Sequence, residues 1–216
     1  MEKVLDKRAG YFKRVFGERD GVLSSVLRRS LYEDGMPTTQ IDDAGGRILQ
    51  LLISILLPKR VVEIGTLFGY SSILIGRALP PDGLLTSLES DENAVAIARR
   101  NVESAGLADR VQVLHTDAIY YLTQEPDCSL DALFVDGAKD DYPTYLKTGY
   151  PKLRRGGLII ADDALCWLDQ LSDRSSAFSR SEAKGIDRYC RALGRNTSVF
   201  SALINSENGL MVSLKL

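Results

Sequence analysis

The sequence predicts an α/β protein: a mostly parallel sheet of seven strands, a C-terminal antiparallel hairpin at one edge, and extra helices at the N-terminus. Three observations carry this expectation. Through residues 61–162 a short apolar run, a turn and an amphipathic stretch recur, the pattern of parallel strands joined by crossover helices. Residues 1–57 carry helical periodicities and no strand signal. The C-terminal LMVSLKL alternates as a half-exposed strand does and follows the turn cluster Asn205-Ser206-Glu207-Asn208-Gly209.

In chain order, Ala44, Ile48, Leu51, Leu52 and Ile55 share a helical face after Asp42 and Asp43. Strands are predicted at Arg60 to Ile64, Leu84 to Glu89, Val111 to Leu114, Leu130 to Val135 and Leu158 to Ala161. Pro80, Pro81 and Gly83 mark the turn before the second, and Gly156-Gly157 the turn before the fifth. Between the second and third, Ala94, Ala98, Val102 and Ala105 recur at helical spacing, with Asp91 to cap the start and Gly106 the end. Glu182 to Leu193 reads as a helix and Ser198 to Leu203 as a strand that pairs with the C-terminal one. No repeat or linker interrupts the pattern, so one domain over 1–216 is expected, with 1–57 as a helical cap and 58–216 as the α/β core. Ser172 to Ser181, rich in serine and charge, reads as a mobile loop.

Of 216 residues 44% are hydrophobic and 26% charged, and 27 basic against 29 acidic side chains leave a net charge of -2. Such a chain can build a full core, which argues against disorder, collagen-like structure and a wholly basic nucleic-acid scaffold. The greasiest stretch, Leu51 to Leu57, is stopped by Pro58 and far shorter than the roughly 20 residues of a membrane span. The N-terminus mixes acids and bases where an export signal needs an apolar centre, so no export, no membrane and a cytoplasmic location are expected. Cys128, Cys166 and Cys190 form no C-x-x-C pair and read as reduced thiols.

Val61-Val62-Glu63-Ile64-Gly65-Thr66-Leu67-Phe68-Gly69-Tyr70-Ser71-Ser72 is a strand running into a glycine-containing turn and then a helix. In an open α/β sheet ligands bind at such a turn, outside the carboxyl ends of the strands. Two glycines alone also serve a tight turn with no ligand. A dinucleotide site needs G-x-G-x-x-G, and Leu67 stands at its middle glycine position, which disfavours a pyrophosphate and an NAD-dependent reductase. Glu63, at the end of the first strand, would oppose a phosphate but suit an ammonium or sulfonium. Glu89 ends the second strand at the distance where an acid accepts hydrogen bonds from ribose hydroxyls. A positively charged nucleoside without phosphates fits all three, and S-adenosyl-L-methionine is that molecule.

The segments VVEIGTLFGYSS, SLES, HTDA and FVDGAKDDY, in this order and spacing, resemble the class I S-adenosylmethionine-dependent methyltransferases. More narrowly, the chain is similar to the metal-dependent small O-methyltransferases, the group of catechol and caffeoyl-CoA O-methyltransferases and their bacterial relatives, from about Met36 to the C-terminal GLMVSLKL. The resemblance implies a Rossmann-like methyltransferase fold, a homodimer, and a cofactor site with Glu63, Gly65 and Ser71 at the methionine end. Thr66 and Leu67 belong to the same loop, Glu89 holds the ribose with Ser90 beside it, and Asp117 with Ala118 borders the adenine. Met36, in a Gly-Met-Pro turn, would border both cofactor and reacting group.

Asp136 closes the fourth predicted strand and Asp162-Asp163 the fifth, so three carboxylates converge beside the methyl donor, Asp136 touching both. An oxygen-only donor set suits a hard cation, Mg²⁺ with Mn²⁺ or Ca²⁺ as substitutes. The plainer alternative is that these aspartates only cap the helices that follow them. Lys139, three residues past Asp136, is by itself a surface lysine; beside a metal and an acceptor hydroxyl it becomes a candidate general base, as the resemblance implies, provided its pKa falls. Two departures stand out: Asp162-Asp163 where the family usually has Asp-Asn, and Asp136-Gly137-Ala138-Lys139 where many relatives have Asp-Ala-Asp-Lys. The expectation is that Asp163 ligates the metal directly.

The lone His115 reads as structural, Trp167 with Leu165 and Leu168 as either packing or acceptor-pocket wall, and the tyrosines at 120–121 and 142–150 as carrying no assigned role. The first 30 residues hold eight bases (Lys3, Lys7, Arg8, Lys13, Arg14, Arg19, Arg28, Arg29) against four acids. The leading expectation is therefore methyl transfer from S-adenosylmethionine, with a divalent metal, to a hydroxyl of a small catechol-like aromatic. The alternatives are a tRNA nucleoside acceptor, which the basic N-terminus favours and the overall acidity does not, and a non-catalytic cofactor-binding relative.

Overall fold

The computed structural model describes residues 10–12, 14–17, 20–166 and 178–216. Within them the chain runs α1 (Gly21–Tyr32), α2 (Asp43–Leu56), β1 (Arg60–Ile64), α3 (Tyr70–Ala78), β2 (Leu84–Glu89), α4 (Glu92–Ser104), β3 (Val111–His115), α5 (Ala118–Gln124), β4 (Leu130–Val135), α6 (Tyr142–Gly149), β5 (Leu153–Ala161), α7 (Arg180–Gly194), β6 (Val199–Ile204) and β7 (Leu210–Lys215). The seven strands form one sheet in the order β3-β2-β1-β4-β5-β7-β6. Pairing is parallel from β3 through β5, and β7 is antiparallel to both β5 and β6. The predicted α/β sheet with its C-terminal hairpin and N-terminal helices is present.

Helix starts follow the sequence closely because aspartate and serine occupy the caps. Asp42 accepts from Ala44 N and Gly45 N, both at 2.8 Å, and Asp91 from Ala94 N at 2.7 Å. Ser179 and Glu182 form a reciprocal capping box at the start of α7. The turn at Pro80–Gly83 closes with Gly83 N donating to Pro80 O at 2.9 Å.

Alternate side chains of the sheet feed two cores. On one face Val61, Leu85, Val113, Phe134 and Ile160 pack with Leu23 and Val26 of α1, Leu49 and Ile53 of α2, Ile73 and Leu74 of α3 and Val95 of α4. On the other, Val62, Ile64, Leu133, Val135 and Ile159 pack with Leu122 of α5, Tyr145 of α6 and Ile186 and Tyr189 of α7. With both faces covered, the central strands are apolar throughout, and polar side chains gather at the strand ends.

One boundary departs from expectation. Gly156-Gly157 is not the turn before the fifth strand but an irregularity inside it: β5 begins at Leu153, opposite Leu130, and its register with β4 shifts before Leu158 pairs with Ala132. Gly156 adopts φ +76, and a Cβ at Gly157 would lie 2.9 Å from Asp131 O, so the two glycines let the strand bend and continue. Trp167, Leu168, residues 172–177 of the predicted mobile loop, and the bases Lys3, Lys7, Arg8, Lys13 and Arg19 lie outside the described residues. Among the described residues no helix is long and apolar enough to cross a membrane.

One buried side chain ties the N-terminal helices to the loop after β1. Asn101 of α4 donates to Ser30 Oγ at 2.9 Å and to Phe68 O at 2.8 Å, while its own oxygen accepts from Arg29 at 2.6 Å. Replacing it with alanine orphans buried partners on both sides. Asn101→Ala is expected to cost about 2 kcal/mol or more and to lower the melting temperature by about 4–8 °C in thermal denaturation; a change below a degree would show that water replaces the amide.

Candidate active site

The strand order reverses between β1 and β4, since β1 leads outward to β2 and β3 and the chain then returns to β4 on the opposite side of β1. A crevice must open there at the carboxyl ends. It is lined by Gly65, Thr66, Leu67 and Ser71 after β1, Glu89 and Ser90 after β2, Asp117 and Ala118 after β3, and Asp136 after β4. Nine of the predicted cofactor residues are thus brought into one cleft.

The cleft floor is backbone brought unusually close. Gly65 has φ +89, and a Cβ on it would lie 2.3 Å from Asp136 O, so only glycine fits. Asp136 N donates to Ile64 O at 2.8 Å and Gly65 N to Leu88 O at 3.0 Å, which locks the three strand ends together. Leu67 also takes a left-handed conformation, φ 51, uncommon for a branched side chain. Glu89 holds it there: Oε2 accepts from Thr66 N at 3.2 Å and Leu67 N at 2.9 Å, and Oε1 from Ser90 N at 2.8 Å and Asp91 N at 3.0 Å. The residue expected to hold a ribose therefore also shapes the glycine loop. Asp117 caps α5 through Tyr120 N at 2.7 Å, and His115 is bonded to Ser90 O at 3.0 Å, outside the cleft lining.

Two expected cofactor residues are elsewhere. Glu63 does not face the cleft: it is fully buried beneath the glycine loop, where Ser72 and Ser87 (2.6 Å) donate to its Oε2. Ser71, which lines the cleft, also bonds its carboxyl, so Glu63 stands behind the cleft wall in a nest of serine hydroxyls and not in the lining itself. Met36 is absent from the lining and packs half-buried against the larger core, its N–H bonded to Ser30 O at 2.9 Å. Thr39 and Gln40, three and four residues on, line the cleft instead. Sequence reading also passed over Tyr70 and Tyr145, whose roles depend on which way α3 and α6 face.

At the β4/β5 edge, carboxylate oxygens of Asp136, Asp162 and Asp163 lie within 4.8 Å of one another. The capping alternative is not what these side chains do. Ala164 N and Leu165 N donate to Gly209 O and Asn208 O of the β6–β7 turn, and the turn at Lys139–Asp141 has no side-chain cap. Instead, Lys139 Nζ is set among the acids, 2.6 Å from Asp136 Oδ1, 2.7 Å from Asp163 Oδ2 and 3.1 Å from Tyr142 OH. Tyr142 is itself bonded to Val135 O and Asp162 O, both at 3.2 Å. Asp163 takes φ 58, a left-handed position that an aspartate tolerates, and this turns its carboxylate toward the cluster. A Cβ on Gly185 of α7 would lie 2.3 Å from Lys139 O, so that helix presses directly on the backbone that presents the lysine.

Three acids face one ammonium, and the charge imbalance shows in their protonation. Burial, reinforced by Asp163, raises Asp136 to about 6 against the pull of Lys139. Burial and the neighbouring carboxylates hold Asp162 well above the usual carboxylate range. For Lys139 burial pulls downward, but Asp136, Tyr142 and Asp163 outweigh it and keep the ammonium well above its ordinary value. The lowered pKa expected of a general base is therefore not a property of this arrangement, in which the lysine itself neutralises the acids. Asp162 Oδ1 is buried without a hydrogen-bond partner among the described residues. An all-carboxylate donor set with an orphaned oxygen fits a hard divalent cation.

These features meet comparisons with known proteins. A family model described as O-methyltransferase matches residues 17–216. A catechol O-methyltransferase of Niastella koreensis is 34% identical over 197 residues, 90% of this chain and 87% of that protein. Among solved structures, the Bacillus cereus O-methyltransferase in complex with SAH matches with a TM-score of 0.83 at 28% identity, covering 96% of each chain. TomG of Streptomyces achromogenes, in complex with SAM, matches with a TM-score of 0.81 at 26% identity over 95% of this chain and 94% of its own. The fold and cleft are those of the S-adenosylmethionine-dependent class I methyltransferases. Within that class, the chain belongs to the O-methyltransferase family.

Burial pushes the Glu63 carboxyl up to about 7, opposed by the hydroxyls of Ser71, Ser72 and Ser87. The unfolded chain releases this proton near 4.5 and the folded one near 7, so the group's contribution to stability is full below pH 4.5 and is lost as pH rises through 7. Glu63→Gln is expected to remove that slope, which is on the order of 3 kcal/mol at most. Paired melting curves between pH 4.5 and 8 should show the wild type losing ground to the variant as pH rises; parallel curves would mean the carboxyl ionises freely in the fold.

Proposed function

We propose that the protein transfers a methyl group from S-adenosylmethionine to a hydroxyl of a small catechol-like aromatic, with a divalent cation held by Asp136, Asp162 and Asp163. The observation that carries this reading is that Asp136 belongs to both the cofactor cleft and the carboxylate cluster, which sets donor and acceptor sites edge to edge. The similarity to a catechol O-methyltransferase over 90% of the chain supports the acceptor class.

Gly65, Thr66, Ser71 and Glu89 bind and orient the donor along the cleft, with Asp117 and Ala118 beside the adenine. A hard divalent cation on the three aspartates would lower the pKa of the acceptor hydroxyl and take from Lys139 the counter-charges that keep it protonated. Lys139 Nζ, set at the cluster beside the acceptor site, would then be the group placed to take the hydroxyl proton. The acceptor oxygen forms its bond to the methyl carbon as the carbon–sulfur bond breaks, and sulfur keeps the electron pair, leaving S-adenosylhomocysteine. Positioning of two charged reactants in a buried cleft supplies much of the acceleration. The positions of Tyr142 and Gly185 keep Lys139 at the cluster rather than in solvent.

With catechol and S-adenosylmethionine, mass spectrometry should find a monomethylated product that disappears on chelation with EDTA and returns with Mg²⁺. Lys139→Met should lower kcat by at least about 10²-fold while leaving S-adenosylhomocysteine affinity within about threefold. Undiminished turnover in EDTA, or unchanged kcat in the lysine variant, would reject the reading.

A further inference from the structure

We propose that Gln40 is a cofactor ligand whose side-chain carbonyl accepts a hydrogen bond from the α-ammonium of the S-adenosylmethionine amino-acid end; this rests on the methyl-donor reading above. Gln40 lines the cleft, and its Oε1 is buried with no hydrogen-bond partner among the described residues. A buried amide oxygen facing a ligand cleft requires a donor, and none of the described residues supplies one.

The fold says which part of the ligand that donor belongs to. Gln40 is carried on the segment that enters α2, and that segment is anchored on α3. Ile41 is fully buried; Gly46 lies so close to α3 that a Cβ would sit 2.7 Å from Leu74 Cδ1; and Tyr70 OH donates to Asp43 at 3.2 Å. This anchoring on α3, the helix that follows β1, places Gln40 on the Gly65–Ser71 side of the cleft, whereas Asp117 and Ala118 follow β3, two strands away from β1. At that end the ligand presents an ammonium and a carboxylate. A carbonyl oxygen repels the carboxylate, which the Ser71 hydroxyl and the start of α3, where no side chain caps the helix, suit, and it accepts from the ammonium. The amide also adds no charge beside the sulfonium, which a carboxylate at the same place would hold too tightly for release.

Calorimetric titration with two probes tests this. S-adenosylhomocysteine carries the amino-acid end, and 5′-methylthioadenosine keeps the adenosine and sulfur without it. Gln40→Leu is expected to weaken S-adenosylhomocysteine about tenfold or more, the loss of a hydrogen bond to a charged group, and to leave methylthioadenosine within about threefold. Gln40→Glu, which keeps an acceptor oxygen, should bind S-adenosylhomocysteine at least as well as wild type. Equal weakening of both probes in Gln40→Leu together with weak binding by Gln40→Glu would overturn the proposal, as would unchanged S-adenosylhomocysteine affinity in Gln40→Leu. Wild-type protein that binds neither probe would instead overturn the methyl-donor reading on which it stands.

Discussion

The architecture turns on the contact between the ends of β1 and β4. Asp136 O lies where a Cβ of residue 65 would be, and the two strand ends share the hydrogen bond from Asp136 N to Ile64 O. That approach is possible only with glycine at 65, and it has a chemical result: the glycine loop that lines the cleft and the acid that begins the carboxylate cluster are consecutive parts of one wall. Group transfer needs its two reactants in contact, and the proposed donor and acceptor sites share this backbone contact.

Around this wall, electrostatic costs are handled locally. Glu63 is buried beneath the loop and answered by serine hydroxyls, Glu89 spends its oxygens on four backbone N–H groups, and the three aspartates are left with one lysine. The Glu89 oxygens are satisfied, whereas Glu63 Oε1 and Asp162 Oδ1 are buried without a hydrogen-bond partner among the described residues. The aspartate cluster, with Asp136 and Asp162 raised by burial and by neighbouring carboxylates, is where a cation would relieve strain in the charge distribution. Lys139 serves as the counter-ion there, so the proposed base role requires another positive charge to take its carboxylate partners.

The strands and helix starts were legible because apolar runs and capping aspartates are local signals: β1, β2 and β4 match residue for residue, and Asp91 caps as read. The extension of β5 back to Leu153 was not, since Arg154 and the glycine pair look like a turn until Asp131 and β4 are placed beside them. In the site, Gly65, Glu89 and Asp136 follow from strand ends and spacing, and Asp117 from the family resemblance. That Glu63 and Met36 stand outside the cleft lining was not legible, because strand position does not tell how deep a side chain is buried, and the path of an N-terminal loop is decided by its packing on α3 and not by its own sequence. Gln40 and Tyr145 come to line the cleft only through elements far along the chain, and Tyr142 joins Lys139 to Val135 and Asp162 only once β4 and β5 are placed side by side.

The central claim is that the aspartate cluster is a cation site and that Lys139 holds it in the cation's absence. Anomalous diffraction from crystals grown with Mn²⁺ and S-adenosylhomocysteine tests it most directly. The account predicts an Mn²⁺ peak about 2.1 Å from oxygens of Asp136, Asp162 and Asp163, with Lys139 Nζ withdrawn from at least one of its two carboxylates. Mn²⁺ bound elsewhere, or the cluster still closed on Lys139 at saturating Mn²⁺, would contradict it.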